Sequence, residues 1–350
     1  MSDDESDATR TSKPVVDNRL PTLGLDTEEN TRFRLGVYGV GLLVLLALPF
    51  FVTSFWTRIA LQALMWIGLA QSWNMIGGYA GYLDFGHGAY FGVGAFVTGI
   101  VMVQFGAPFL AGFLLAAAIG AGLAYLIAVP TLRLKGAYFA IATWAFAEAV
   151  KQGALITDIT GGTFGMSLPV GPPPAIFYYA MLAMTAGTVL LTWKLFERSE
   201  FGFQVKALRD DEDAAESLGI DTTRVKRQVY VLSCVVAALF GSLNAYFITY
   251  IHPNSVLAPI VTDRMVIMAL LGGLGTVAGP VVGGLIVFAL ERLSALFLGE
   301  STFYLPLIGV LIMLVVLFAP SGIVGFLRGD TSGTDIKRNL RELADKFNFR

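Results

Sequence analysis

Long apolar runs alternate with short polar breaks along the chain. Residues 36–57, 85–132 and 229–262 contain no Asp, Glu, Lys or Arg. An uncharged apolar stretch of about 20 residues is long enough to cross a bilayer as a helix. The pattern predicts about ten spans, near residues 35–55, 58–77, 88–105, 108–130, 136–156, 175–194, 227–250, 262–276, 279–298 and 303–320. The run 85–132 is too long for one span, and Gly106-Ala107-Pro108 supplies the turn that divides it. The short alternating segments of a membrane β-barrel do not appear. The expected fold is all-α: a polytopic transmembrane helical bundle with an internal repeat and broken helices.

Composition agrees. Hydrophobic residues make up 55% of the 350 and charged residues only 14%, against about 25% charged in a soluble domain. Residues 1–34 are polar and acid-rich and read as a disordered cytoplasmic tail, not a cleaved signal peptide. Residues 35–327 form the transmembrane domain. Residues 328–350 form a basic tail with Ile336, Leu340, Leu343 and Phe347 on one helical face, suited to the inner membrane surface.

Charge fixes an orientation. With ten spans both termini share one side. If that side is the cytoplasm, all but four of the 24 Lys and Arg residues lie there or at its edge. The exceptions are Arg58, Lys151, Arg264 and Arg292, so the partition follows the positive-inside rule.

Two glycine-dense stretches interrupt the apolar pattern. Residues 78–96 read GYAGYLDFGHGAYFGVGAF, and residues 270–288 read LLGGLGTVAGPVVGGLIVF. Paired Gly-interrupted segments in two halves of a transporter suggest an internal repeat lining a central path. The candidate path residues are Asp84, Phe85, His87, Tyr90, Glu148, Gly272, Gly273 and Gly275. Charge at membrane depth faces a protein interior or a water-filled cavity. Asp84 also suits the cap of a helix starting near Phe85, and His87, three residues on, would share its face. The blander role for Glu148 is an i,i+3 pair with Lys151 near the outer surface. Asp263–Arg264 and Glu291–Arg292 read as interfacial pairs at outer helix ends, and residues 157–174 as a flexible outer loop stiffened by proline.

The only substantial hydrophilic segment between spans is 195–228. Asp210 or Asp211 can cap a short helix there, with Glu212 in its first turn. Ala214, Ala215 and Leu218 give it a small apolar face, Gly219 can close it in the left-handed conformation, and Asp221 or Thr222 can cap the next span. Plain connectors need only a few residues; a capped helix with an apolar face is suited to docking on a partner.

The string ALRDDEDAAESLGID, residues 207–221, resembles the coupling loop of permease subunits in the branched-chain amino acid ABC importer family. The two glycine-dense stretches, LRLKGAYFAIATWAFAE (132–148) and TGGTFGMSLP (160–169) resemble the same family, in order, over roughly residues 35–327. The resemblance implies a permease half in the cell membrane that imports branched-chain or related amino acids by alternating access. It implies a second related permease, cytoplasmic ABC ATPase subunits and an extracytoplasmic solute-binding protein as partners, with membrane lipid around the bundle. Leu208, Arg209, Asp210, Asp211, Glu212, Ala214, Ala215, Leu218 and Gly219 would then be the ATPase-coupling residues. Related permeases carry urea, short amides or sugars, so these solutes stay open.

No Walker-type GxxxxGK[ST] loop occurs, so ATP and Mg belong to the partner ATPases and no cofactor is expected in this chain. Nucleic acid is not an expected partner. No His/Cys/Asp/Glu set has metal-ligand spacing: His87 and His252 are isolated, and the single Cys234 reads as a small buried hydrophobe. The chain shows no Ser-His-Asp or paired-carboxylate spacing of a catalytic kind, which disfavours an intramembrane enzyme. An ion-coupled secondary transporter would need a more ionisable core and no 195–228 loop.

Overall fold

The computed structural model describes residues 41–298 except 42, residues 322–328, and positions 306, 309, 310 and 313 between them. The expected tails (1–34 and most of 328–350) and most of the expected last span lie outside the described residues.

Among the described residues the chain is helical almost throughout. The main helices are α1 (Ser54–Asn74), α2 (His87–Val103), α3 (Phe109–Thr131), α4 (Ala137–Ile156) and α5 (Pro174–Thr192). Two short helices follow, α6 (Glu200–Asp210) and α7 (Glu212–Ser217). Then come α8 (Thr222–Ile248), α9 (Pro253–Val256), α10 (Pro259–Gly272), α11 (Gly279–Leu298) and α12 (Gly322–Arg328). By length and hydropathy, five stretches among the described residues can cross a membrane: Phe109–Thr131, Pro174–Glu197, Thr222–Ile248, Pro253–Gly272 and Gly279–Leu296. His87–Val103 is apolar but shorter.

The long helix α8 is the hub of the bundle. Glycine and alanine on α8 and its neighbours let backbones approach closely, which drives helix association where lipid offers no hydrophobic contrast. A Cβ on Gly241 would lie 1.8 Å from the Phe91 carbonyl oxygen of α2, and one on Gly94 would lie 1.9 Å from the Ala238 carbonyl oxygen. The buried stripe of α3 is Gly112, Ala116, Gly120, Ala124 and Ala128, a four-residue repeat that forms one ridge. Gly120 of that stripe meets Ala238 on α8. Hydroxyls complete the seams: Thr98 Oγ1 donates to Ser242 Oγ (2.6 Å), and Thr185 Oγ1 to the Leu64 carbonyl (2.8 Å).

Several boundaries differ from the pattern-based ones. The span expected from about 227 lies within helix α8, which starts at Thr222; Asp221, one of the two residues expected to cap it, accepts from the Arg224 amide (2.9 Å). Helix α10 begins at Pro259 and stops at Gly272. The segment 157–174 carries more regular structure than a plain loop. It folds into two 3-10 turns and a strand, Met166–Ser167, paired antiparallel with Tyr250–Ile251. This ladder sits just beyond the C-terminal end of α8, about 40 Å from its start at 1.5 Å per residue. The two ends of the bundle are thus chemically distinct: one carries α6 and α7, the other the ladder.

Candidate functional site

The first glycine-dense stretch is a break between helices. α1 runs into a π-helical turn, Met75–Tyr79, and α2 begins only at His87. Asp84 therefore does not start a helix at Phe85. Its Oδ1 accepts from the Gly86 amide (2.8 Å), fixing the turn before α2. Its backbone carbonyl accepts from Trp73 Nε1 (2.7 Å). Asp84 Oδ2 lies 3.1 Å from His87 Nδ1, and His87 Nε2 lies 3.1 Å from Ser72 Oγ. These polar groups are fully buried. Neighbouring helices pin the break as well: Thr143 Oγ1 of α4 accepts from the Phe85 amide (3.2 Å), and Thr262 Oγ1 of α10 from the Gly88 amide (2.8 Å).

Three dimensions join groups that spacing keeps apart. Ser72, His87 and Asp84 form a hydrogen-bonded run with the connectivity of a nucleophile–base–acid relay, although the sequence shows no such spacing. Ser72 Oγ also donates to the Leu69 carbonyl (2.8 Å), and the run is sealed from solvent. Asp84, His87 and Cys234 offer ligand atoms within 4.8 Å of one another. Cys234 is buried as expected, but it borders this polar cluster and not an apolar one alone. Tyr90 is buried with its hydroxyl 3.2 Å from that of Tyr230.

The second glycine-dense stretch docks directly on the first. Asn74 Nδ2 donates to the Thr276 carbonyl (3.0 Å), and Asn74 Oδ1 accepts from the Gly275 amide (2.9 Å). A Cβ on Gly78 would lie 2.4 Å from the Gly275 nitrogen. Gly273 and Gly275 have φ of 126° and 67°, where only glycine is comfortable. Gly272 meets the Gly279 backbone, so the α10–α11 turn is tight. Glu148 lies apart from this junction. It pairs with Lys151 (3.1 Å) and accepts from Gln152 (2.6 Å) on α4.

The 195–228 segment is built onto the same junction. Arg209 Nη1 donates to the Gly78 carbonyl (3.4 Å), and a Cβ on Gly275 would lie 2.8 Å from it. Tyr79 donates to Glu197 Oε1 (2.8 Å) and Tyr82 to Glu212 Oε2 (2.7 Å). Lys226 Nζ donates to Glu212 Oε1 (2.6 Å) and lies over the Tyr82 ring. Asp211 Oδ1 caps α7 by accepting from the Asp213 and Ala214 amides (3.0 Å each), and Gly219 closes it with φ 86°. Asp210 ends α6 instead of capping. The expected apolar face is split: Ala215 and Leu208 are buried, whereas Ala214 points outward and Leu218 is 81% exposed. A cavity of about 530 Å³ beside Leu218 is lined by Gln204, Gly219, Ile220, Asp221 and Arg224, among others.

Asn74, Tyr79, Tyr82, Glu197 and Lys226 are the contacts that sequence reasoning missed. The available signals were an amide next to a Gly-Gly step and two tyrosines flanking a break, both ordinary taken singly.

Glu212 carries a pH signature. Burial pushes its carboxyl upward, but the hydrogen bonds from Lys226 and Tyr82 and the Lys226 charge outweigh this and hold it below the usual value. A depressed carboxylate stabilises the fold above its unfolded value and loses that contribution as pH falls through the folded one. The contact should therefore hold at neutral pH and weaken only below the ordinary carboxylate range, about pH 4. Glu212→Ala leaves Lys226 buried without its acid and should cost about 3 kcal/mol. Thermal unfolding in detergent at neutral and acidic pH checks both statements; a Glu212→Ala loss that persists undiminished at pH 3 contradicts the linkage.

Comparison of the sequence with known proteins finds a matching family. The profile described as "Branched-chain amino acid transport system / permease component" matches residues 55–319. The chain is 25% identical to the high-affinity branched-chain amino acid transport system permease protein LivM of Salmonella typhimurium, covering 88% of this chain and 78% of that one. It is 25% identical to the permease protein LivH of the same organism, over 73% of this chain and 90% of that one. It is also 24% identical to the fructose import permease protein FrcC of Rhizobium meliloti, over 76% and 78%. No solved structure matches.

Proposed function

Since the chain belongs to the branched-chain amino acid transport permease family, we propose that it is one of two related membrane permeases of an ATP-driven importer for branched-chain or related amino acids. The similarity to both LivM and LivH supports pairing with a second permease of the same kind. Membership and the apolar helices make it a multi-pass membrane protein. The basic residues favour ten spans with both termini and the 195–228 segment in the cytoplasm.

One observation carries the mechanism. α6 and α7, with Leu218 at the C-terminal end of α7, offer an exposed apolar residue on one side, and on the other bond the first glycine break through Arg209 of α6 and Glu212 of α7; Glu197, in the turn that ends α5, adds the bond from Tyr79. A partner that moves α6 and α7 therefore pulls on Tyr82 through Glu212 and, through Arg209, on Gly78, which packs against Gly275 of the α10–α11 turn. These residues lie where α1 hands over to α2 and α10 to α11, so a local displacement can rock whole helices, the usual amplification in a packed bundle. ATP and Mg act on the partner subunits; this chain contributes the lever and the path. Asp84, His87 and Tyr90 hold the break together, sealed in this conformation.

The relationship to FrcC favours a second reading, a sugar-like solute. Uptake into vesicles by the complete transporter with its binding protein separates the two. ATP-dependent import of leucine, not competed by fructose, supports the amino-acid reading; ATP-dependent import of fructose without leucine replaces it.

A further inference from the structure

Away from the glycine junction, α1, α10 and α11 bring charged and amide groups to one layer. Arg264 Nη2 pairs with Glu291 Oε1 at 2.9 Å, and these side chains are 24% and 21% exposed. The pairing runs between helices, so the expected pairs of adjacent residues, Asp263–Arg264 and Glu291–Arg292, do not describe it. Arg292 Nη2 donates to Gln62 Oε1 of α1. The Arg264 guanidinium lies over the Trp66 ring and that of Arg292 over Phe288, both at 5.2 Å.

On the ten-span reading proposed above, the α10–α11 glycine turn lies at the inner membrane face and this layer falls at membrane depth. At 1.5 Å per residue, Arg292 is about 20 Å along α11 from the glycine turn and Gln62 about 18 Å along α1, within a hydrocarbon core of about 30 Å. A cation at that depth needs a counter-charge or water. Glu291 is engaged with Arg264, and among the described residues no carboxylate pairs with Arg292. What holds Arg292 is a neutral amide and an aromatic face, which orient a guanidinium without neutralising it. The layer thus presents an oriented guanidinium beside a carboxylate.

We propose that Arg292 recognises the carboxylate of an amino acid in transit, while Glu291 stays paired with Arg264 beside it. The assignment rests on the amino-acid reading above and names its path residue. Guanidinium and carboxylate match as bidentate partners.

The test uses the complete transporter in proteoliposomes with its binding protein and radiolabelled leucine as probe, comparing wild type, Arg292→Gln and Arg292→Lys. Arg292→Gln should assemble and keep ATP hydrolysis stimulated by the loaded binding protein, while leucine imported per ATP falls roughly tenfold or more, the loss expected for one charged hydrogen-bonded contact. Arg292→Lys keeps the charge without the fork and should fall between. Should Arg292→Gln fail to fold, the folded Lys variant decides: reduced leucine per ATP supports the assignment, and wild-type coupling overturns it. Loss of the second permease from an otherwise folded Arg292→Gln chain makes Arg292 an interface residue and overturns it too. If wild type imports leucine and Arg292→Gln does so equally well, only this assignment fails; if wild type imports fructose and not leucine, both readings fail.

Discussion

Leu218→Asp is expected to abolish ATPase binding and ATP-driven uptake while leaving the membrane bundle intact. Leu218 is 81% exposed at the end of a helix of six residues, Glu212–Ser217. That helix is held by its own chemistry, the Asp211 cap, the Ala215 contact and the left-handed Gly219, none of which uses the Leu218 side chain. The substitution thus removes the apolar anchor without removing the element that presents it. Truncating a central interface anchor costs about 2 kcal/mol or more, and placing a carboxylate in an apolar cleft adds its desolvation cost. Together these predict at least about a thirtyfold loss of affinity at 1.4 kcal/mol per decade. Co-purification of the ATPase with the tagged permease reads it, and Leu218→Met should bind nearly normally. Full ATPase recovery with Leu218→Asp would remove Leu218 from the interface.

Gly241→Leu should have the largest effect on stability. A side chain at Gly241 has no room: its Cβ would fall 1.8 Å from the Phe91 carbonyl oxygen and 2.6 Å from the carbonyl carbon. The obstacle is backbone, so no rotamer change relieves it, and α2 must move off α8. Gly94 against Ala238 makes the reciprocal contact on the same seam. Separating that seam loosens the Thr98–Ser242 bond and the Tyr90–Tyr230 contact as well. Overpacking a well-packed core costs about 1–3 kcal/mol, occasionally more, and here the upper end applies. Thermal unfolding in detergent should show a large drop in midpoint or no folded protein. Gly122→Ala on α3, where nothing lies within 4 Å of the added Cβ, should be neutral or slightly stabilising, since alanine favours helix. A wild-type midpoint for Gly241→Leu would contradict the close α2–α8 crossing.

The helical architecture was legible because apolar runs of membrane length leave little choice: backbone groups in lipid must bond within a helix. The α7 cap and the Gly219 stop were legible for a related reason. Both are local, set by residues two to four positions apart. The 195–228 segment also stood out by polarity alone. What was not legible is long-range pairing. Asn74 bonds residues 275 and 276, about two hundred positions away, and Tyr82 bonds Glu212. Spacing rules see neighbours on one helix, so they placed Asp84 and His87 together but missed the Ser72–His87 bond, which closes across a break, and the Arg264–Glu291 pair, which closes across two helices. The same limit explains the outer segment 157–174. Its composition suggested a flexible loop stiffened by proline, but its pairing partner, Tyr250–Ile251, lies beyond α5, the coupling segment and α8.

The central claim is that α7 is where an ATPase subunit grips this permease. Among the described residues the chain has one free cysteine, Cys234, and it is buried, so a single introduced cysteine reports from one place. Leu218→Cys in the assembled transporter, treated with a short thiol-to-amine cross-linker, should give an adduct with the ATPase subunit. Ile159→Cys, exposed at the ladder end of the bundle, should give none with the ATPase. An ATPase adduct from Ile159→Cys, with none from Leu218→Cys, would contradict the account.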